Sequence, residues 1–365
     1  MKVLFDDKIF STQKYGGVSK YFCEMIKRLP KGIWETSALF TNNEYVRNSH
    51  LFPYISLFPK STYRGQSRIP EILNMPITQI KLEMGNFDIF HQTDFASYNP
   101  KYLKNKKMVI TFHDMNYVKY RELYNNIEFT NRRESLQKEC LKRADQIIAI
   151  SHTTKKDLID LWNIAADKIT VIHHGVNKNS VSNLNPNRII QEPYILFVGE
   201  RYGFKNFSRL LKAFAILEKS YPELRLMCTS VPLSNTEQTE IQELRLSQKV
   251  IHISADEPTM ARLYRDAELF VYPSFSEGFG MPILESMVYD CPVVLSRASC
   301  FPEIAGNSAQ YFDPFDEEDI AFRIDQVLSS ESAKNELISQ GRSKLNEFSW
   351  EKSAGEHLSV YQSLV

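Results

Sequence analysis

The sequence predicts an α/β protein of two domains, and three observations carry that prediction. Short apolar runs of strand length alternate with amphipathic stretches of helical length through most of the chain. At 365 residues the chain exceeds one ordinary core and suits two domains of about 180 residues each. Finally, the stretch Phe270–Ser296, FVYPSFSEGFGMPILESMVYDCPVVLS, holds a complete strand–helix–strand unit.

In that unit Leu269-Phe270-Val271-Tyr272, closed by Pro273, predicts a buried strand. Ser274 to Gly280 make a short loop carrying Gly278 and Gly280. Pro282 suits the first helical turn, because its φ is already helical and its missing N–H would lack a partner there. The helix runs through Glu285, Met287 and Val288 until Cys291-Pro292 stops it, and Val293-Val294-Leu295 is the next strand. A glycine-bearing loop aimed at a helix start offers backbone N–H groups and the positive dipole end, which suits a phosphate. Glu277 and Glu285 frame that start. With 28 Glu in the chain their spacing alone is uninformative, and the surrounding strand, loop and helix supply the meaning.

Composition narrows the class. Hydrophobic residues make 43% and charged residues 24% of the chain, as in a water-soluble globular protein. No run approaches the ~18 apolar residues that span a bilayer. MKVLFDDKIFS places acids straight after a short apolar run that ends at Phe5, so a signal peptide is not expected. Cys23, Cys140, Cys228, Cys291 and Cys300 are odd in number, scattered and without a C-x-x-C pair, which predicts reduced thiols in a cytoplasmic protein. The net charge of zero is unevenly divided: residues 1–190 carry 28 Lys+Arg against 18 Asp+Glu, and residues 191–365 carry 16 against 26. The basic half would face an anionic partner such as a membrane surface, a lipid-linked phosphate or an acidic glycan, unless the halves differ by drift alone. No reader motif for nucleic acid accompanies the charge.

Taken in order, Val3-Leu4-Phe5 opens the first strand. The loop after it ends in Gly16-Gly17 and enters a helix whose Val18, Phe22, Met25, Ile26 and Leu29 follow helical spacing. Paired glycines at a helix start permit a close approach by a ligand, or merely a tight turn. Residues 35–86 are rich in Asn, Tyr and Pro and resist parsing. They carry the basic pair Arg64 and Arg68 and suit a variable, partner-contacting region. FDIFHQT, MVITFHD and QIIAISHTT are three strand-like runs ending near His91, His113-Asp114 and Ser151-His152, which in a parallel sheet would share one edge. Lys101, Lys104, Lys106 and Lys107 form a basic cluster, either a solvated turn or a membrane-facing patch. Ser151 suits an N-cap. KITVIHHGVN is a further strand, and residues 178–192 form a linker.

The second half opens on YILFVGERYGFKNFSRLLKAFAIL. Its strand ends at Gly199, its helix begins near Asn206, and Arg201 and Lys205 lie between. Two cations beside a helix start suit a diphosphate, whose departure develops further negative charge. LRLMCTS and VIHIS are strands, the latter leading through Ser254 into an amphipathic helix with Met260, Leu263 and Tyr264. Acidic residues 316–319 open another helix. The tail FSWEKSAGEHLSVYQSLV is amphipathic.

The stretch EGFGMPILE, followed by PVVLSRASCFPEIAGNSAQYFDP, resembles the E-x7-E element and the next strand and loop of the family-4 retaining glycosyltransferases of the GT-B fold. Gly16-Gly17, His113-Asp114, Gly175-Val176-Asn177 and the cations of the Gly199–Lys205 loop are similar to the family's at corresponding places, although the family often spaces that Arg and Lys more widely. The resemblance implies two Rossmann-like domains, residues 1–185 and 190–348, whose parallel sheets face a cleft, with the last helix, about residues 350–365, packing back on the first. It implies a UDP- or GDP-hexose as donor, bound mainly by the second domain. The diphosphate would lie over Gly278, Phe279 and Gly280, with Gly199, Ser254 and Met281 alongside and Gly16-Gly17 at the mouth of the cleft. Arg201 and Lys205 would be counter-charges, Glu285 would hold the ribose hydroxyls, Glu277 would hold or orient the sugar, and His113 would lie near it. A saccharide or lipid-linked saccharide acceptor would bind the first domain. Apart from the resemblance, the basic charge of the first half would bring this cytoplasmic protein into peripheral contact with the inner membrane surface. No Asp-x-Asp motif stands at a strand end, so neither a divalent metal nor any other cofactor is expected. Two rivals stay open at this point: a sugar-nucleotide epimerase or phosphorylase of the same architecture, and a non-catalytic two-domain sugar-binding protein.

Overall fold

The computed structural model describes residues 1–57, 68–103, 105–123, 127–178 and 185–365. Arg64, Lys104 and part of the expected linker lie outside them. The chain divides into two compact units. One holds Met1–Arg121, most of the chain onward to Gly175, and Trp350–Val365, and the other is built of Val176–Ser349.

The first unit is a parallel sheet of β1 (Val3–Phe5), β2 (Trp34–Thr36), β3 (Ile89–Gln92), β4 (Lys107–Phe112), β5 (Gln146–Ala149) and β6 (Ile169–Val171), in the order β2-β1-β3-β4-β5-β6. Strands such as Val3–Phe5 and Ile89–Gln92 are buried throughout, as a parallel sheet covered on both faces requires. One part of its core gathers Leu4, Phe90, Ile110, Phe112, Ile147 and Leu158. The helix Gly17–Arg28 buries Tyr21, Phe22, Met25 and Ile26. Helix Trp350–Ser363 packs on it: the Tyr21 hydroxyl and His357 Nε2 are 2.6 Å apart, and Arg28 Nε donates to Glu351 at 2.7 Å.

The second unit is a parallel sheet of β7 (Tyr194–Phe197), β8 (Arg225–Cys228), β9 (Val250–His252), β10 (Leu269–Tyr272), β11 (Val293–Ser296) and β12 (Gln310–Phe312), in the order β12-β11-β10-β7-β8-β9. The chain runs outward from β7 to β9, then returns to place β10 on the other side of β7. This is the Rossmann order, and the loops leaving β7 and β10 diverge to open a crevice at their carboxyl ends. Register is set by Leu269 against Ile195 and Phe270 against Leu196. Both sheets are parallel and Rossmann-like.

The described part of residues 35–86 is more regular than their composition suggests. It contains the end of β2, a short helix at Glu44–Ser49 and a 17-residue helix, Arg68–Met84. That helix escaped the periodicity test because Pro76 sits inside it and its buried positions include Asn74 and Thr78. His91 is likewise corrected. It is within β3 rather than at its end, fully buried, with Nδ1 2.6 Å from the Tyr361 hydroxyl and Nε2 3.0 Å from that of Thr111. No described helix is long and apolar enough to cross a membrane.

Candidate active site

The crevice between β7 and β10 is built by two loops tied to each other. Asn206, in the left-handed conformation at φ 59°, caps the start of helix Phe207–Leu217. Its buried amide donates to the carbonyl oxygens of Pro273, at 3.1 Å, and Pro314, at 2.7 Å. The Phe275 N–H donates to the Phe204 carbonyl at 2.8 Å. With the backbones so joined, Lys205 Nζ reaches Glu277 Oε1 at 2.6 Å. The side chains are only 16% and 12% exposed, and the ammonium also lies 5.6 Å from the Tyr272 ring centroid. Burial, then the Glu277 charge, raises the Tyr272 phenol well above its ordinary range, so it stays a neutral hydroxyl.

Glu277 is supported from behind. Its N–H donates to the Ser299 hydroxyl at 3.2 Å, and that hydroxyl donates back to the Glu277 carbonyl at 2.7 Å. Ser299 holds φ 54°, a conformation uncommon for a residue with a side chain.

Three residues on, Gly280 caps helix Met281–Val288 at φ 90°, with no side-chain cap on the helix start. A Cβ at Gly280 would sit 2.9 Å from Ile283 Cδ1 and 3.2 Å from Phe301 Cε1, so glycine is required for both backbone and space. Gly199, at the end of β7, holds φ 116°. The Phe279 ring is buried against Phe348, leaving the backbone of Gly278–Gly280 as the part of that loop suited to an anion. Half-buried Glu285 lies on the helix, accepting from the Tyr264 hydroxyl at 3.4 Å. Cation, carboxylates and a helix start therefore converge within one unit. Such a site can hold an anion and balance charge that appears during reaction.

Two family models match the chain: Glycosyltransferase Family 4 over residues 15–180 and Glycosyl transferases group 1 over residues 184–344. The chain belongs to glycosyltransferase family 4. Among curated relatives, the O-antigen chain mannosyltransferase B of Escherichia coli is 29% identical over 293 residues, 76% of this chain and 74% of that one. The O-antigen chain mannosyltransferase RfbU of Salmonella typhimurium is 32% identical over 186 residues, covering 50% of this chain and 51% of its own. In fold, the glycosyltransferase is similar to a sucrose-phosphate synthase from Thermosynechococcus elongatus (TM-score 0.76, 19% identity, 100% and 98% of the two chains). It is also similar to Anabaena HepE, solved in complex with UDP and glucose (TM-score 0.74, 16% identity, all of both chains).

Other residues singled out from the sequence of this glycosyltransferase fall in different surroundings. Arg201 is turned away from the crevice: its side chain is 1% exposed, and it donates to Glu237 at 2.9 Å and to the carbonyls of Thr229 (2.7 Å), Val231 (2.5 Å) and Pro232 (2.9 Å). Those contacts pin the β7 loop to the β8 loop. Ser254 is exposed just past β9, and Met281 is half-buried at the helix start. In the first unit, Gly16 precedes helix Gly17–Arg28 in an extended conformation. A Cβ there would meet Gln13 Oε1 at 2.5 Å, the oxygen that accepts the Ser19 N–H. Around Gly17 the space is open. His113 follows β4 with its ring edge-on to Tyr21, 5.5 Å between centroids. Burial, with the Arg133 charge second, drops its imidazole to about pH 3, so it is neutral at ordinary pH. Its buried Nε2 has no hydrogen-bond partner among the described residues.

Sequence reasoning missed Asn206 and Ser299, which position Lys205 and Glu277. A faint signal existed for Asn206, since Asn tolerates left-handed backbone better than most residues. Ser299 offered none, because its partner is 22 residues away.

Proposed function

We propose that this glycosyltransferase moves a hexose, with retention, from a nucleotide-diphosphate sugar to a saccharide or lipid-linked saccharide in surface polysaccharide synthesis. The observation that carries the proposal is the Lys205–Glu277 ion pair beside the helix start at Gly280, which carries no side-chain cap. Anionic diphosphate would lie over the Gly278–Gly280 backbone and the helix dipole. Lys205 would answer the negative charge that develops on the departing phosphate oxygen. Glu285 would accept the two ribose hydroxyls, for which a carboxylate has paired oxygens. Glu277, steadied by Ser299, would both aim Lys205 and accept hydroxyls of the sugar.

In the retaining course, the acceptor oxygen bonds to the anomeric carbon on the face from which the phosphate leaves. The acceptor proton passes to the leaving phosphate oxygen. Catalysis would then rest on positioning and charge balance, without a protein nucleophile or a metal. Arg201 serves the site by holding the Lys205 loop rather than by touching phosphate.

The relatives named as mannosyltransferases make a mannosyl group the first hexose to test. A thermal-shift panel of UDP-, GDP-, dTDP- and ADP-sugars identifies the donor, since a ligand at 100 times its Kd adds about 2.7 kcal/mol of stability. Radiolabelled transfer from that donor to a saccharide acceptor completes the test. Binding of no nucleotide sugar, or hydrolysis as the sole outcome with every acceptor, would overturn the proposal.

A further inference from the structure

Helix Arg68–Met84 is amphipathic the wrong way round for a core element. Its buried positions are Pro70, Asn74, Thr78 and Leu82. Asn74 accepts from the N–H groups of Leu39 (3.0 Å) and Phe40 (2.9 Å) and donates to the Phe40 carbonyl and the Ser11 hydroxyl. Thr78 donates to Asp7 at 2.6 Å, and Glu71 pairs with Lys8. Polar bonds thus fasten the inner face. The outer face is apolar instead: Ile72, Met75, Ile80 and Met84 are 62%, 63%, 55% and 63% exposed, with Leu73 and Pro76 beside them. Isolated exposed apolar side chains are ordinary, but a stripe running the length of a 17-residue helix is not.

Basic residues gather where the stripe ends. Lys106 Nζ donates to the Gly85 carbonyl at 2.7 Å, one residue past the helix. Lys101 lies over the Tyr102 ring at 4.6 Å, and both stand close enough to Glu83 to stabilise its ionised carboxylate, as Gln79 does at 2.7 Å. The acid on this side is therefore answered, while Lys101 is exposed and Lys107, also exposed, shares its charge with Asp145 at 3.3 Å, a pair open enough to water to yield to a headgroup. An apolar stripe edged by lysines matches the layered chemistry of a bilayer surface, acyl chains beneath negative headgroups.

We propose that helix Arg68–Met84 seats its Ile72–Met84 face in the headgroup boundary of an anionic membrane, with Lys101 and Lys107 against the headgroups. The surface holds the enzyme where a lipid-linked acceptor is presented, yet vesicle binding is read without donor, acceptor or transfer. Failure of the sugar chemistry would leave it standing.

Sedimentation of the full chain with vesicles tests it, using phosphatidylcholine alone and phosphatidylcholine mixed with phosphatidylglycerol. The expected result is binding to the mixed vesicles only, weakened by salt. Ile72→Glu with Ile80→Glu should cut that binding by about tenfold or more with Tm unchanged, because both side chains project away from the unit. Lys101→Gln and Lys107→Gln should each cost about fivefold. Ile80→Trp should bind as the parent does, its fluorescence shifting to the blue on the mixed vesicles. No binding, equal binding to both compositions, or binding untouched by the two glutamates would overturn the proposal. So would a chain that sediments as a dimer split by those glutamates, since a second copy would then be the occupant.

Discussion

Lys205 Nζ and Glu277 Oε1 stand 2.6 Å apart although 72 residues separate them, and both side chains are mostly buried. A partly buried ion pair is a poor source of stability, because the loss of water around each charge offsets most of the attraction. Its presence at the mouth of the β7–β10 crevice therefore argues for use. Replacing Lys205 by Ala should lower kcat by about 100- to 1000-fold, the range for removing one charge-stabilising donor, with a smaller change in donor Kd. Single-turnover kinetics and donor titration check this. An unchanged kcat with weakened Kd would reduce Lys205 to an anchor.

Glu285→Gln should weaken binding of the free nucleoside diphosphate by about tenfold, the worth of charge-assisted hydrogen bonds. Calorimetric titration with UDP and GDP is the direct measurement. Unaltered affinity for both nucleotides removes the ribose role.

Gly280→Ala places a Cβ 2.9 Å from Ile283 Cδ1 at a backbone φ of 90°. The strained conformation alone costs about 1–3 kcal/mol. Tm should fall by several degrees and donor binding should drop with it. Gly17→Ala is the control: the space there is open, so Tm should hold.

Arg201→Ala should act on stability before activity. It strips hydrogen bonds from the carbonyls of Thr229, Val231 and Pro232 and leaves Glu237 without its guanidinium. A loss of about 3 kcal/mol is expected by denaturant titration, with donor affinity retained wherever the protein is folded. Weakened donor binding in a fully stable variant would instead make Arg201 a phosphate ligand.

Acid should loosen the contact between helices Gly17–Arg28 and Trp350–Ser363. Burial pushes His357 down to about 4, from its ordinary value near 6.5. Between those values the unfolded chain takes up the proton and the folded one does not. Stability from this residue is thus complete above about pH 6.5 and is lost as pH falls toward 4. At pH 5 the loss is about 2 kcal/mol. Asp6 works in the opposite sense, since burial and the neighbouring Asp7 charge raise it to about 7. The measurement is accordingly the difference in unfolding free energy between the parent and His357→Gln, which should narrow as pH drops from 7 to 5. A difference that stays constant over that range would refute the assignment.

Much of this was readable in the order of residues. Strand β10, the loop to Gly280 and the helix with Pro282 in its first turn follow from local rules: apolar runs of strand length, glycine where φ turns positive, proline where an N–H is dispensable. Glu277, Glu285 and Lys205 were picked out by their places in those elements and by the family resemblance. Helix Arg68–Met84 was not legible, because Pro76 interrupts it and its inner face is fastened by the polar Asn74 and Thr78, leaving its apolar face outward.

The sequence by itself determined the alternation of strands and helices, the family, and which side chains carry charge beside a helix start. Only tertiary structure decided where those charges point. Lys205 and Arg201 lie four positions apart on one loop, yet one meets Glu277 and the other turns to Glu237 and three carbonyls. The physical reason is that direction depends on partners distant in sequence: Asn206 bonding to Pro273 and Pro314, Ser299 to Glu277, and the β8 loop closing over Arg201. No local propensity encodes such contacts; they exist once β10 has returned to lie beside β7.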